Sequence, residues 1–138
     1  MEANHLDRFV QAQEEMHSKA LTEIQEGKKR SHWMWYIFPQ LRALGVSDTA
    51  TYYGIADINE AKGYMEHPYL RENLITISRA LLRLETSDPY KIMGEIDALK
   101  LCSCMTLFEV AAPNVPEFSL VLEKFYGGIR DKKTLKLL

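Results

Sequence analysis

From Ala98 to Ala111 the chain carries Leu99, Leu101, Cys102, Cys104, Met105, Leu107, Phe108 and Val110, which leaves a helix there little polar surface. A helix that is apolar all round has to be packed on several sides. Asp97 is placed to cap it, and Pro113 and Pro116 bracket the loop that follows. The rest of the chain must therefore supply neighbours around this one segment.

Those neighbours read as short helices. Leu6, Phe9, Val10, Met16, Ala20, Leu21 and Ile24 share one helical stripe that stops at Gly27, with Glu14, Glu15, Glu23 and Glu26 largely off it. Lys28-Lys29-Arg30 then complements the negative end of that helix and reads as a solvated helix terminus. Ser31 to Phe38 is an aromatic run ending at Pro39. It is assigned to a short helix capped by Ser31, because a lone strand would leave its backbone unpaired. Ser47 caps a segment reaching Tyr53, and Asp57 with Glu60 forms a capping box. Pro68 opens a helix carrying Leu70, Leu74, Ile77, Leu81 and Leu84. Asp88-Pro89 starts a short segment. Phe118, Leu122 and Phe125 mark another helix, ended by Gly127-Gly128, and Asp131 caps a last one over 132–138.

The expected architecture is all-α: one compact, irregular domain over residues 1–138, with seven or eight short helices around the central apolar one. A length of 138 residues suits one core, and 46% hydrophobic with 26% charged residues is a globular composition. The net charge of −2 offers no broad cationic surface to nucleic acid, and Lys28, Lys29 and Arg30 are too few to make one. The longest strongly apolar run, Trp33 to Pro39, is far short of the ~20 residues of a membrane span. The polar start Met1-Glu2-Ala3-Asn4-His5 lacks the character of a secretory signal, so a cytoplasmic location is expected. On a helix Cys102 and Cys104 point about 200° apart, so they read as two buried reduced thiols. No zinc-ligand spacing is present, and four scattered histidines do not make a metal site.

The common phosphate-loop, dinucleotide, zinc-protease and esterase signatures are missing. Two groups of residues remain as candidates. The first is the segment from His32 to Gln40, which holds both tryptophans. Trp33 and Trp35 would face different directions, one filling the core while the other lines a cleft. His32 exchanges protons near neutral pH, and Gln40 adds a polar group to an apolar wall. Core packing is the simpler account of most of these aromatics. The second is the polar stripe Lys100, Ser103 and Thr106 on the apolar helix. It either holds an anion or is satisfied internally, with the hydroxyls bonding back to helix carbonyls and Lys100 reaching solvent or Asp97. Tyr53 is a phenol that can join the same region, and His67, before Pro68, stands at an expected helix boundary.

Ser31-His32-Trp33-Met34-Trp35-Tyr36-Ile37-Phe38-Pro39-Gln40-Leu41 resembles the hallmark of the family catalogued as domain of unknown function 1810. Tyr53-Gly54-Ile55, His67-Pro68-x-Leu70, Asp97-x-x-Lys100-Leu101 and Ser103-x-Met105-Thr106-Leu107-Phe108 extend the resemblance. So do Phe125-x-Gly127 and Asp131-x-x-Thr134-Leu135. The resemblance implies a mainly α-helical single domain and carries no reaction or cofactor. The chain departs from the family at Arg71 and Asn73, where Gly and Arg are usual, and at Cys102 and Cys104, where Arg and Ser are common. Automated naming often calls such proteins calpastatin-like. Calpain-inhibitory segments are repetitive and disordered, whereas this chain is 10% aromatic and patterned for a core.

Two functions follow as expectations. One is a small-molecule-binding enzyme or sensor, with His32 and Lys100 as catalytic candidates and Trp33, Trp35, Gln40, Tyr53, His67 and Ser103 binding the ligand. An anionic, nucleotide-derived metabolite suits those residues. The other is a helical protein-interaction module whose motif residues pack the core while a solvent-facing groove takes a partner.

Overall fold

The computed structural model describes residues 5–138; the polar start read over Met1 to Asn4 lies outside the described residues. The apolar segment is helix α7 (Glu95–Ala111), and every residue from Leu101 to Phe108 is buried. Before it come α1 (Asp7–Gln25), α2 (Met34–Ile37), α3 (Asp48–Tyr53), α4 (Ile58–Glu66), α5 (Pro68–Leu82) and α6 (Pro89–Met93). After it come α8 (Pro116–Tyr126) and α9 (Lys132–Leu137). Helices α4, α6, α8 and α9 pack directly on α7, and α5 lies against α1, α4 and α8 in a second layer. The expected all-α single domain is therefore present, with nine α-helices among the described residues where seven or eight were expected. No helix among those residues is long and apolar enough to cross a membrane.

Local chemistry explains most boundaries. The side chains of Ser47, Asp57, Asp88 and Asp131 each accept a backbone N–H in the first turn of the helix that follows, and Pro68 opens α5. The capping box of α4 is only half closed, because Glu60 Oε1 accepts from Ala56 N (2.7 Å). Arg8 occupies that carboxylate as well, at 3.2 Å.

Three expectations need correction. Asp97 is not the cap of α7, which starts two residues earlier behind Gly94, whose φ of 82° favours glycine. Asp97 instead pairs with Lys29 Nζ at 2.9 Å, so Lys29 is no solvated helix terminus and Asp97 is not Lys100's partner. Helix α7 is packed on several sides, as its all-round apolarity implies, with Leu99 and Val110 exposed near its two ends.

The third correction concerns Ser31 to Phe38, where only Met34–Ile37 is helical and Ser31 caps nothing. The cause is Glu23, which is buried in α1. Its carboxylate accepts from Arg30 N (2.7 Å), Ser31 N (3.0 Å), Ser31 Oγ (2.6 Å) and the indole Nε1 of Trp33 (2.9 Å). Donors turned onto a carboxylate hold residues 30–33 in an irregular path. Burial pushes the Glu23 carboxyl up, but the Ser31 hydroxyl and the N–H donors of Arg30, Trp33 and Ser31 outweigh it and hold the pKa at about 2.

Beyond α2 the chain runs through Gln40 into a parallel bridge between Leu41 and Ile55. Arg42 N donates to Ile55 O (2.8 Å) and Ile55 N to Gln40 O (2.9 Å). Gly54 makes that approach possible, because a Cβ there would stand 2.4 Å from Arg42 Cα and 2.6 Å from its Cβ.

Gly54→Ala is accordingly expected to lower the urea midpoint at unchanged slope, by about 2–3 kcal/mol of stability. Gly63→Ala is the control. It sits in α4 with nothing nearer than Leu6 Cδ1 at 4.0 Å, and should be neutral or slightly stabilising. Glu23→Gln should cost about 2–4 kcal/mol at pH 7. The carboxyl pKa is depressed on folding from 4.5 to about 2, so its contribution is complete above pH 4.5 and is lost as pH falls through 2. The gap between wild type and variant should shrink by about 3 kcal/mol from pH 6 towards pH 2. Parallel stability curves over that range would show that the carboxylate charge is not what holds residues 30–33.

Candidate functional site

The Glu23 anchor separates the two tryptophans. Trp33 is fully buried, its indole N–H satisfied by Glu23 and Lys29 Nζ 4.9 Å from its ring centroid. Trp35, one half-turn on in α2, is half-buried on the surface facing α7, with Lys100 Nζ 5.8 Å from its ring centroid. Trp35, Gln40, Tyr53 and Lys100 together line a narrow crevice of about 10 Å³, on the margin of what one water requires.

Gln40 and Lys100 also border a much larger space. An open groove of about 820 Å³ runs along the first half of α7, closed on its far side by the end of α8, the turn after it and α9. Ser103 lies in its wall. Tyr90, Ile96, Leu99 and Ile129 give it apolar sides that are more than half exposed to solvent. Its charges are Lys100, Arg130, Lys132 and Lys133 against the single carboxylate of Asp131.

Arg130 is tied to Glu109 through both Nε (2.9 Å) and Nη2, and Asp131 is committed to Thr134 N (3.0 Å) and Thr134 Oγ1 (2.6 Å). Lys100, Lys132 and Lys133 have no carboxylate within 4.0 Å among the described residues. The groove is thus apolar in its walls and positive in its uncommitted charge. The hydroxyls of the polar stripe are spent inside: Ser103 Oγ donates to Leu99 O (3.2 Å) and Thr106 Oγ1 to Cys102 O (2.8 Å). Thr106 also accepts Asp131 N (2.9 Å), which pins α9's cap to α7.

The remaining sequence candidates stand apart. His32 is exposed and borders neither crevice nor groove. His67 precedes α5, and its Nδ1 is buried without a hydrogen-bond partner, away from both spaces. Cys102 and Cys104 are buried and unbridged, and burial raises both thiol pKa values. Asn73 donates to Gln13 Oε1 (3.0 Å), and Gln13 Nε2 donates to the fully buried Tyr64 hydroxyl (2.9 Å), so Asn73 serves a core network. Of the basic run, Lys29 is held by Asp97 and Arg30 pairs with Glu26.

Sequence reasoning missed Glu23, Arg8 and the far wall of the groove. Glu23, expected largely off the stripe, is buried; its signal was its place three residues after Ala20, at the edge of the buried face. Buried Arg8 donates to Tyr52 O (2.8 Å) and Gly54 O (3.0 Å) and so fastens the end of α3 to α1. Nothing local marks Lys132 and Lys133 as facing α7.

Comparison with known proteins agrees with the fold and leaves the chemistry open. No curated protein matches the chain. The crystal structure of the conserved hypothetical protein Rv1873 from Mycobacterium tuberculosis is similar over 96% of this chain and 95% of its own, with 41% identity and a TM-score of 0.94. The model of a family described as "Protein of unknown function (DUF1810)" matches residues 3–138. The hallmark run, the nine-helix architecture and that match over almost the whole length agree: the chain belongs to the DUF1810 family.

Proposed function

We propose that the protein binds a small anion with an apolar or planar body in the groove beside α7. The observation that carries this reading is Lys100, which has no carboxylate partner and borders both the Trp35 crevice and the 820 Å³ groove. That volume falls within the roughly 300–1,000 Å³ of small-molecule sites. Lys100, Lys132 and Lys133 would receive the anionic group, such as a phosphate, while Leu99, Ile96, Ile129 and Tyr90 take the apolar body. Gln40, which lines both spaces beside Lys100, adds a polar group to orient the ligand. A nucleotide-derived metabolite has both parts. Since His32 and His67 lie outside the groove, the reading is of binding, with no residue assigned to proton transfer.

A second reading draws on the exposure of Ile96 (71%), Leu99 (61%) and Ile129 (67%) along the same groove. Apolar side chains this open suit the flank of an amphipathic protein segment as well as a metabolite.

A thermal-shift screen against nucleotides, dinucleotides and sugar phosphates separates the two. A ligand of the groove should raise the melting temperature, and further as its concentration is increased above its Kd. Lys100→Ala, half-buried and without an ion pair, should fold normally and bind roughly tenfold more weakly or worse. Ile96→Glu should weaken the same ligand. A Lys100→Ala protein that binds an anionic hit as tightly as wild type would rule out this groove as its site. Failure of the whole library, together with loss of a protein partner in Ile96→Glu, would favour the interaction module.

A further inference from the structure

Tyr53 also borders a third space, a concavity of about 260 Å³ that shares no other lining residue with the crevice and none with the groove. Its walls are Tyr36 from α2, Tyr52 and Tyr53 from α3, and Glu15 with Met16 from α1. Tyr53 is the middle ring. Its centroid is 5.1 Å from that of Tyr36 at an interplanar angle of 54°, and 4.8 Å from that of Tyr52 at 81°. Tyr52 meets Tyr53 edge to face and Tyr36 tilts against it, so the three rings stand at a corner and not in one plane. Tyr52 is 59% exposed, so the corner opens to solvent.

The charge around this corner is negative. Arg8 reaches the wall, but its guanidinium is bonded to Tyr52 O and Gly54 O and balanced by Glu60 at 3.2 Å. Glu15 has no basic partner within 4.0 Å among the described residues. Burial is the first cause that raises the pKa of Tyr36 and of Tyr53; Glu15 adds to each, and at Tyr53 the Arg8 cation works against the rise and outranks Glu15. Ring faces carry negative potential, and a carboxylate at their edge strengthens it.

Among cations, the geometry discriminates. Phenol and carboxylate oxygens here are too few to replace the shell of a divalent metal ion, which takes about six oxygen ligands. An unsubstituted ammonium is compact and strongly hydrated, and gives up water reluctantly. A methylated ammonium spreads its charge over an apolar shell that packs on aromatic faces. We propose that Tyr36, Tyr52, Tyr53 and Glu15 form an aromatic cage for a methylated ammonium group. The same chemistry is carried by a free choline-type molecule and by a trimethylated lysine side chain.

The test is an NMR titration of the intact protein, following tyrosine ring resonances, with three probes. They are choline, a short peptide bearing trimethyllysine, and the carbon isostere of choline in which a tert-butyl group replaces the trimethylammonium. Saturable shifts of the Tyr36, Tyr52 and Tyr53 rings with either cation, and much weaker shifts with the neutral isostere, are the expected result. The cation that saturates at lower concentration identifies the carrier. Tyr52→Leu removes a ring face but keeps apolar bulk, and should weaken binding by roughly five- to thirtyfold, whereas Tyr52→Phe should retain it. Glu15→Gln, on the exposed face of α1, should also weaken it, with no effect on folding. Equal binding of the neutral isostere, an unaffected Tyr52→Leu protein, or no saturable shift with either cation would each overturn the cage.

Discussion

One buried carboxylate sets the course of the chain between α1 and α2. Glu23 gathers two backbone N–H groups, a hydroxyl and an indole N–H from residues 30–33. A charge placed in a core is costly unless such donors surround it, and here they do so well enough to keep it ionised down to a pKa of about 2. Trp33 is drawn inward as a consequence, and Lys29 closes over its ring while reaching Asp97 on α7. The α1–α2 connection is thereby fixed to α1 through Glu23 and to the central helix through Asp97. Everything displayed by α2, Trp35 and Tyr36 included, depends on that fixture.

The central helix imposes the second constraint. Although Leu101 to Phe108 are buried, the first half of α7 borders the groove, with Ile96 and Leu99 exposed, Lys100 half-buried and Ser103 in its wall. The groove is the region that the short helices leave uncovered. Helix α9, with six residues, is held in place less by its own length than by the bridge from Asp131 N to Thr106 Oγ1 on α7. A hydroxyl in an apolar helix therefore positions Lys132 and Lys133 across from Lys100.

What the sequence made legible follows the range of each interaction. Caps at Ser47, Asp57, Asp88 and Asp131 were readable because a cap involves a side chain and an N–H two or three residues away. The short α2 was not, because the residue that shortens it lies on another helix. Asp97 shows the same limit: its local context suggests a cap, and a lysine far away in the chain claims it instead. Within the candidate site, Lys100 and Ser103 stood out as polar positions on an apolar helix. That Gln40 and Tyr53 approach the same lysine depends on the Leu41–Ile55 bridge and on the missing Cβ of Gly54, which no periodicity reveals.

The motif residues of this chain divide by whether their hydrogen-bonding and charge capacity is spent. Ser31, Trp33, Asp97, Thr106, Asp131 and Thr134 each have a named intramolecular partner, and folding alone accounts for them. Lys100 has no carboxylate, and Trp35 leaves part of its ring open. Folding gains little from keeping a cation at 5.8 Å from a half-buried indole, since an aliphatic side chain would pack there without desolvating a charge. Lys100 and Trp35, whose presence stability does not explain, are therefore neighbours beside the crevice and the groove, while His67 with its unpartnered Nδ1 and exposed His32 stand apart. That pairing, more than the size of the groove, is what supports the proposed binding site.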